Sequence, residues 1–444
     1  MCSFLHFILK NNICNRKNSL SYNFTMKEKF LINGGKILSG EIEVEASKNA
    51  YLPILAGSIL CDDEVTFLNA PYFTDIENMC EILKILGVKI RRDGEVLSLD
   101  LHNIKNEKIS HEHTNKLRAS IFLLGPLLAK FRQASISYPG GCNIGTRPID
   151  IHISAFKSLG VKIVERHGYI YCNAQNMRAG KVVFSSISVG ATESVMMSAV
   201  LLNGKTTLYN VAREPEVKEL ANFLNAMGAK ISGAGSDRIE IEGVKRLKGV
   251  SFKVFPDRII AGTHLLLGAM LGKNMRVIGA RREDNEILFN ILKECGCSLE
   301  EDEMGATISS NGKYNAYRFI ETLPYPNFPT DLQPQFMAFQ TLGKGTSVIK
   351  ENLFENRFNH VMELIKMGAD IFVKDRLAIV NGVEKLYGAD VFASDLRAGA
   401  GLVLAGLVAE GYTTISNIEY IDRGYERLEE KYARLGADIK RVKE

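Results

Sequence analysis

The sequence predicts an α/β fold built from six copies of one structural unit, and two repeated features support this prediction. The first is a glycine that follows an apolar helical stretch and precedes a short β-like run, as expected where a helix ends in the left-handed conformation. Its copies lie roughly 70 residues apart, a spacing that indicates repeated units. They are Gly87, Gly160, Gly228, Gly296, Gly368 and Gly436. The second feature is a helix that begins with polar or charged residues and is then apolar on all sides.

A helix that is apolar on all sides is expected to be buried. Six such helices are expected to begin at Lys48-Asn49, Arg118, Thr192-Glu193, Asp257-Arg258, Asp331 and Asp395-Leu396-Arg397. Because an unpaired buried charge is costly, their first turns must pair with each other or face a wet cavity. Acidic residues there can be ordinary N-caps, but lysine and arginine do not serve that purpose. Converging helix starts also attract anions, so the set predicts an anion-binding cleft.

Residues 74–86 predict a second kind of helix, which covers the buried ones. The segment has an apolar stripe at helical spacing, and Thr74-x-x-Glu77 fits the capping-box pattern. An amphipathic helix of this kind exposes one face to solvent.

Length and composition narrow the class of protein. A chain of 444 residues indicates two or more domains, and 46% hydrophobic with 24% charged residues is ordinary for a globular protein. The net charge of +4 is too small to indicate a nucleic-acid surface, and no apolar run is long enough to span a membrane. The eight cysteines form no CxxC pair, so they indicate neither a metal site nor a disulfide framework. A cytoplasmic, reducing environment fits them best.

The first 25 residues differ from the rest of the chain. They contain three basic and no acidic residues, as a targeting peptide would, but the apolar stretch at residues 4–9 is short for a secretory signal. An ordinary globular sequence begins at Met26. Residues 1–25 are therefore expected to be a disordered extension or to precede the true start codon.

The loop at residues 138–150 is the most specific segment of the sequence. Pro139 and three glycines make it rich in turns, with Cys142 inside it and Arg147 after it. Glycine-rich loops serve as lids in many enzymes. A cysteine on such a loop near arginines favours a reactive thiol, whereas a buried cysteine in an ordinary connection is the alternative. The composition of the loop leaves both interpretations open.

Together with other segments, this loop resembles the UDP-N-acetylglucosamine 1-carboxyvinyltransferases, a family of enolpyruvyl transferases. The resemblance runs from about Met26 to Glu444, and only the N-terminal extension lies outside it. Its segments include Ser47-Lys48-Asn49-Ala50, Leu117-Arg118-Ala119-Ser120, Ser188-Val189-Gly190-Ala191-Thr192, Arg213-Glu214-Pro215-Glu216, Phe328-Pro329-Thr330-Asp331, Phe354-Glu355-Asn356-Arg357-Phe358, Asp395-Leu396-Arg397-Ala398 and Asp422-Arg423-Gly424-Tyr425-Glu426-Arg427.

The resemblance implies a particular architecture. The family has an inside-out α/β barrel fold of two domains, each made of three βαβαββ units, with the N-termini of buried helices facing an interdomain cleft. One domain is inserted in the other. The expected domains are residues 48–255 and residues 26–47 together with 256–444.

The resemblance also implies an activity, which is transfer of the enolpyruvyl group of phosphoenolpyruvate to the 3′-hydroxyl of UDP-N-acetylglucosamine in peptidoglycan precursor synthesis. The implied catalytic residues are Cys142, Asp331, Asp395, Lys48 and Arg397. Those implied to hold phosphoenolpyruvate are Lys48, Asn49, Arg147, Arg357, Arg397 and Arg423. Those implied to hold the nucleotide sugar are Arg118, Arg147, Pro148, Ile149, Asp150, Ile151, His152, Ser188, Val189, Gly190, Asp331 and Leu353. No cofactor, metal, membrane, nucleic acid or obligate protein partner is implied.

Within this scheme Asp331 is the expected general base, with Asp395 as the alternative acid in the cleft. Cys142 is the family's proton donor and the implied target of the epoxide antibiotic fosfomycin. Neighbouring arginines would lower the pKa of this thiol, so its main role can be protonation or adduct formation. Two rival functions are a sister transferase that acts on shikimate 3-phosphate and a non-catalytic nucleotide-sugar sensor. The lid segment around Cys142 argues against the first, and a sensor would need neither a base nor a proton donor.

Overall fold

The structure is a computed structural model that describes residues 27–140, 144–145, 148–310 and 312–443. The expected extension at residues 1–25, and the candidate residues Cys142 and Arg147, lie outside this part of the chain.

Thirteen α-helices lie in the described part of the chain. They are α1 (Lys48–Ser58), α2 (Thr74–Ile85), α3 (His111–Lys116), α4 (Leu124–Phe131), α5 (Asp150–Ser158), α6 (Val189–Ala199), α7 (Pro215–Ala226), α8 (Arg258–Leu271), α9 (Arg282–Glu294), α10 (Gln333–Gln340), α11 (Val361–Lys366), α12 (Leu396–Val408) and α13 (Leu428–Arg434). Short 3-10 segments occupy Arg118–Leu123, Thr330–Leu332 and Ile418–Arg423.

The described strands form six small sheets. The strands are β1 (Glu28–Asn33), β2 (Leu38–Glu43), β3 (Glu64–Phe67), β4 (Lys89–Asp93), β5 (Val96–Asp100), β6 (Gln133–Ser137), β7 (Lys162–Arg166), β8 (Tyr169–Asn173), β9 (Lys181–Val183), β10 (Lys205–Tyr209), β11 (Lys230–Ser232), β12 (Arg238–Glu242), β13 (Ser251–Phe252), β14 (Gly272–Ile278), β15 (Ser298–Asp302), β16 (Gly305–Ser309), β17 (Phe319–Glu321), β18 (Thr346–Lys350), β19 (Asp370–Lys374), β20 (Leu377–Asn381), β21 (Asp390–Phe392), β22 (Tyr412–Ser416) and β23 (Asp438–Lys443). The strand orders are β21-β22-β1-β23, β15-β16-β14-β2, β17-β18-β20-β19, β13-β3-β5-β4, β6-β8-β7 and β11-β12-β10-β9.

Each sheet belongs to one βαβαββ unit, as the unit β9-α6-β10-α7-β11-β12 illustrates. Strand β10 pairs in parallel with β9, which precedes the buried helix, and antiparallel with β12 of the hairpin, so that Leu208 lies between Val182 and Ile239. In the three-stranded sheet an isolated parallel bridge between Ile109 and Ile136 replaces the edge strand. The fold class predicted from the sequence, an inside-out α/β barrel with six repeated units, is confirmed.

The core is built around buried helices, with buried strand residues packed against them. In α12 every residue from Leu396 to Leu407 is buried, and α8 is buried from Arg258 to Met270. Close helix approach depends on glycine in each half of the chain: Gly125 of α4 faces the backbone of α6, and a Cβ on Gly401 of α12 would lie 2.9 Å from the carbonyl oxygen of Pro334. In the described part of the chain, no helix combines the length and apolarity needed to cross a bilayer.

The six repeated glycines end helices as predicted. Their φ angles lie in the left-handed region, from +88° at Gly87 to +105° at Gly436, and a strand follows each within two residues. This conformation costs glycine little, whereas a Cβ makes it unfavourable.

Several predicted helix starts need correction. The prediction of a capping box at Thr74 is wrong. The N-cap of α2 is Phe73 and Thr74 already lies inside the helix, while the Glu77 side chain pairs with Arg92. Helix α6 begins at Val189, three residues before Thr192, because the Ser188 side chain accepts from the Ala191 N–H.

Two other predicted starts, at Arg118 and Asp331, are 3-10 turns that precede α4 and α10. The proline at the start of each α-helix, Pro126 or Pro334, has no N–H and clashes with the carbonyl four residues earlier, so the α conformation does not extend upstream.

The two segments where the chain was expected to cross between domains run side by side. Ala46 and Pro256 form an antiparallel bridge, and the Ser47 N–H donates to the Phe255 carbonyl at 2.8 Å. One carboxylate ties the helices that follow, because Asp257 caps α8 and also accepts from the Lys48 N–H at 3.0 Å. The domain boundaries themselves stay a prediction.

Candidate active site

Asp331 is the central acid of a cationic cleft. Its Oδ1 accepts from Arg357 Nη2 at 3.0 Å, and its Oδ2 accepts from Arg397 Nη2 at 3.2 Å and from Asn49 Nδ2 at 3.4 Å. The Asp331 side chain is 25% exposed, whereas those of the two arginines are 2% and 3% exposed. Solvent and ligands therefore reach the carboxylate while its partners stay fixed in the protein.

Asp395, the second acid proposed for the cleft, has a different environment. It is the N-cap of α12, and its Oδ1 accepts from the N–H groups of Arg397 and Ala398 at 3.0 and 3.1 Å. Arg357 lies between the two acids, 3.5 Å from Asp395 and hydrogen-bonded to the Thr330 carbonyl. Because Asp395 is buried and bonded to its own helix, its geometry favours a structural role over proton transfer.

A second carboxylate, which sequence reasoning missed, joins two predicted substrate-binding cations. Asp75 Oδ2 accepts from Lys48 Nζ at 3.0 Å, and its Oδ1 accepts from Arg423 Nε at 2.8 Å. Burial lowers the pKa of the Lys48 ammonium, although the charge of Asp75 opposes this. Burial by itself would raise the pKa of Asp75, yet Lys48 and Arg423 hold it below its ordinary value. The sequence signal was ambiguous, because an acid in the first turn of an amphipathic helix usually serves the helix dipole.

Several candidate nucleotide-sugar residues meet where α5 faces the start of α6. His152 is buried, and a Cβ placed on Gly190 would lie 3.1 Å from its Nε2. Burial, together with the charge of Arg118, lowers the pKa of His152 to about 4, so the imidazole is neutral at pH 7. Ser188 is half-buried and caps α6.

Other residues expected to hold the nucleotide sugar lie at or next to the starts of α5 and α6. Pro148 and Asp150 are exposed at the start of α5, while Ile149 is buried and Ile151 and Val189 are half-buried.

Leu353 is tied to the Asp331 turn by an acid that the sequence did not single out. Glu351 is buried; its Oε2 accepts from Thr330 Oγ1 at 3.0 Å and its Oε1 accepts from the Leu353 N–H at 2.9 Å. The bond to Leu353 is local, but Thr330 lies 21 positions away, so this link depends on the tertiary fold and no sequence pattern marks it.

The described residues of the 138–150 loop contact other parts of the chain. The Gly140 N–H donates to the Thr114 carbonyl, and the Ile144 carbonyl accepts from the Asn356 N–H, both at 3.0 Å. Asn356 directly precedes Arg357, which contacts Asp331, so this hydrogen bond connects the loop to the residues around the Asp331 carboxylate.

The fold and a family match place this chain in the class of enolpyruvyl transferases. The family model described as EPSP synthase (3-phosphoshikimate 1-carboxyvinyltransferase) matches residues 32–432. Among solved structures, the enolpyruvyl transferase NikO from Streptomyces tendae has a TM-score of 0.85 at 23% identity, and an EPSP synthase from Acinetobacter baumannii has a TM-score of 0.70 at 16% identity. Each covers 94% of this chain and is itself covered in full, so both share its fold.

Curated relatives show to which family of enolpyruvyl transferases this chain belongs. UDP-N-acetylglucosamine 1-carboxyvinyltransferase 2 of Carboxydothermus hydrogenoformans is 48% identical, over 94% of this chain and 99% of the relative. The enzyme of the same name from Caldanaerobacter subterraneus subsp. tengcongensis is 46% identical, over 93% of this chain and 99% of the relative. This chain belongs to the UDP-N-acetylglucosamine 1-carboxyvinyltransferase family, as the resemblance in its sequence indicated.

Proposed function

We propose that the protein transfers the enolpyruvyl group of phosphoenolpyruvate to the 3′-hydroxyl of UDP-N-acetylglucosamine and releases phosphate, in peptidoglycan precursor synthesis. The relatives at 46–48% identity carry this activity in their names. The observation that carries the proposal is the solvent-accessible Asp331 carboxylate held between the buried guanidinium groups of Arg357 and Arg397. This arrangement offers a base beside fixed positive charge, as addition of a hydroxyl to an anionic donor requires.

The donor carries a phosphate and a carboxylate, so its site needs several cations. Lys48, Arg397 and Arg423 supply them from the described part of the cleft, and Arg147 of the lid is proposed to complete the set. Arginine suits this role because its planar fork binds phosphate and carboxylate in a bidentate manner. Asn49 and Arg357 are proposed to act beside them, through the contacts that each makes with Asp331.

The reaction adds the sugar oxygen to C2 of the donor while a proton adds to C3. Loss of phosphate from C2 and of a proton from C3 then restores the double bond in the product. Asp331 is the proposed acceptor of the hydroxyl proton. The nucleotide sugar is proposed to lie along the α5 and α6 starts with Leu353 nearby, since Glu351 ties Leu353 to the turn that carries Asp331.

Cys142 is the proposed proton donor to C3 and the most reactive thiol. The five cysteines in the described part of the chain are expected to react more slowly than Cys142, because burial raises the pKa of their thiols. The pKa of Cys80, Cys172 and Cys295 rises to about 12 and that of Cys297 to about 11. Burial also raises the pKa of Cys61. Thiols with such pKa values are poor nucleophiles at neutral pH.

Fosfomycin labelling tests the role of Cys142. The epoxide is expected to modify Cys142, faster when the nucleotide sugar is bound, as mass spectrometry of peptides will show. A Cys142→Asp variant retains a carboxylic proton donor but no thiol, so it is expected to keep some activity and to resist the epoxide. An adduct on another cysteine, or equal inactivation of the variant, would contradict this role.

The main test of the function is phosphate release from phosphoenolpyruvate with and without UDP-N-acetylglucosamine. Release is expected to depend strictly on the nucleotide sugar, because the base and the donor act on it together. Shikimate 3-phosphate serves as the control acceptor, and release with it alone would favour the sister transferase. Nucleotide-sugar binding without any phosphate release would favour a sensor.

The cellular setting is proposed on the same grounds. We place the enzyme in the cytoplasm, where its scattered cysteines stay reduced. Two small-molecule substrates suffice for the proposed reaction, so no cofactor and no protein partner is required by it.

A further inference from the structure

Asp75 is a buried acid whose position is defined by two cations of the proposed donor site. It is 2% exposed and lies in the first turn of α2. Its Oδ1 accepts from Arg423 Nε at 2.8 Å, and its Oδ2 accepts from Lys48 Nζ at 3.0 Å and from Arg423 Nη2 at 3.4 Å. One carboxylate therefore fixes the separation of two positive groups that come from positions 48 and 423.

The contact also joins the two sides of the cleft. Helix α2 lies in the segment expected to form the inserted domain, whereas Arg423 ends the 3-10 segment Ile418–Arg423. Two neighbouring hydrogen bonds follow the same path: Thr74 Oγ1 donates to the Asp422 carbonyl at 3.3 Å, and the Tyr72 N–H donates to Glu426 Oε2 at 3.0 Å. The Asp75–Lys48 bond is buried and the Asp75–Arg423 bonds are partly buried, whereas these two neighbouring bonds are exposed.

The two cations would repel each other without the acid. Lys48 is buried beside the charges of Arg397 and Arg423, which disfavour its protonated form, and Asp75 provides the main opposing charge. A neutral Lys48 could not attract an anionic donor. Removal of the Asp75 charge should therefore change both the orientation and the protonation of Lys48.

We propose that Asp75 is a positioning residue, which keeps a negative charge beside Lys48 and aims Lys48 and Arg423 at the anionic groups of the enolpyruvyl donor. This inference rests on the proposed function. Asp75 itself need not touch the donor, because it acts through the two cations. The competing interpretation is an ion pair that only stabilises the fold.

Asp75→Asn tests the proposal, since it removes the charge with little change of shape. The value of kcat/KM for phosphoenolpyruvate is expected to fall by about 10²-fold, as misplaced binding groups typically cause, while KM for the nucleotide sugar changes little. The alkaline limb of the pH profile of kcat/KM for phosphoenolpyruvate should move to lower pH, because Lys48 loses the charge that favours its protonated form. Glu77→Gln is the matched control, as it removes an exposed acid from the same helix and should leave kinetics and pH profile unchanged.

Asp75→Glu provides a second variant in case the asparagine variant folds poorly. Glutamate keeps the negative charge on a side chain that is one methylene group longer. The variant should therefore retain the alkaline limb of the wild-type pH profile even if kcat/KM falls. An asparagine variant with the wild-type alkaline limb, or a glutamate variant with the same displaced limb, would overturn the positioning role. Loss of thermal stability with unchanged kinetics would overturn it as well. A wild-type protein with no sugar-dependent phosphate release would instead refute the proposed function.

Discussion

The cleft and the buried start of α6 deal with buried acids in opposite ways. In the cleft, the buried Asp75 contacts Lys48 and Arg423, which hold its pKa below the ordinary value, and the partly exposed Asp331 contacts Arg357 and Arg397. On α6, Glu193 is fully buried and neither of its carboxylate oxygens has a hydrogen-bond partner among the described residues. Burial, reinforced by the charges of Glu216 and Glu214, raises the pKa of Glu193 well above its ordinary value of 4.5. A buried acid is thus tolerated either by pairing or by protonation.

The comparison predicts opposite pH dependences of stability. The pKa of Asp75 is lowered in the folded protein, so its contribution is present above the ordinary value of 3.8 and is lost as the pH falls through the folded pKa. The pKa of Glu193 is raised, so its contribution is present below 4.5 and is lost as the pH rises through the folded pKa. The nearby pair of Glu216 and Arg258, joined at 3.0 Å, shows that pairing also occurs in this region.

The largest expected effect concerns Asp331, the partly exposed acid of the cleft. Asp331→Asn should lower kcat by about 10²–10⁴-fold, because a general base typically contributes that much. Nucleotide-sugar binding, measured by calorimetry, should change little. Asp302→Asn, at an exposed acid of β15, is the matched control and should keep full activity. Near-normal turnover of the Asp331 variant would exclude it as the base and direct attention to Asp395.

The next effect concerns the stability that pairing provides. Arg357→Met removes a guanidinium that contacts Asp331, Asp395 and the Thr330 carbonyl, and leaves two acids without their shared cation. Breaking a buried ion pair from one side typically costs about 3–5 kcal/mol, so thermal unfolding should shift to clearly lower temperature. Arg282→Met, which removes an arginine 34% exposed, should cost at most about 1 kcal/mol. Equal shifts for the two variants would show that burial of the pairs does not matter.

The sequence predicted features that depend on neighbouring residues and missed those that depend on distant ones. The six helix-ending glycines were predicted because a left-handed residue after a helix is a local requirement. Lys48, Asp331 and Arg397 were noticed because a charge in the first turn of an apolar helix is locally anomalous. Asp75 has no such anomaly, since its partner Arg423 lies 348 positions away. Glu351 was missed because its bond to Thr330, 21 positions away, also depends on the tertiary fold.

Helix starts show where local rules conflict. The segments Arg118–Leu123 and Thr330–Leu332 run directly into α4 and α10, but a proline inside the first turn of each α-helix changes the upstream hydrogen bonding to the 3-10 form. Hydrophobic pattern alone does not distinguish these conformations. The consequence for the site is that Asp331 lies on a 3-10 turn, with its side chain in the cleft, rather than inside an α-helix.

The smallest expected effect tests protonation directly. Glu193→Gln keeps the shape of the neutral acid and removes the titrating group, so the variant should resemble the wild type in stability below pH 4.5. As the pH rises above 4.5, the unfolded wild type loses a proton that the folded state keeps, which lowers wild-type stability by up to about 1.4 kcal/mol per pH unit. The difference in melting temperature between variant and wild type should therefore grow from pH 5 to pH 8 in favour of the glutamine. Glu77→Gln, at an exposed paired acid, should show no such trend. A Glu193→Gln variant that is less stable than the wild type at pH 8 would mean that Glu193 is ionised and has a partner outside the described residues, and the contrast with the cleft would then fail.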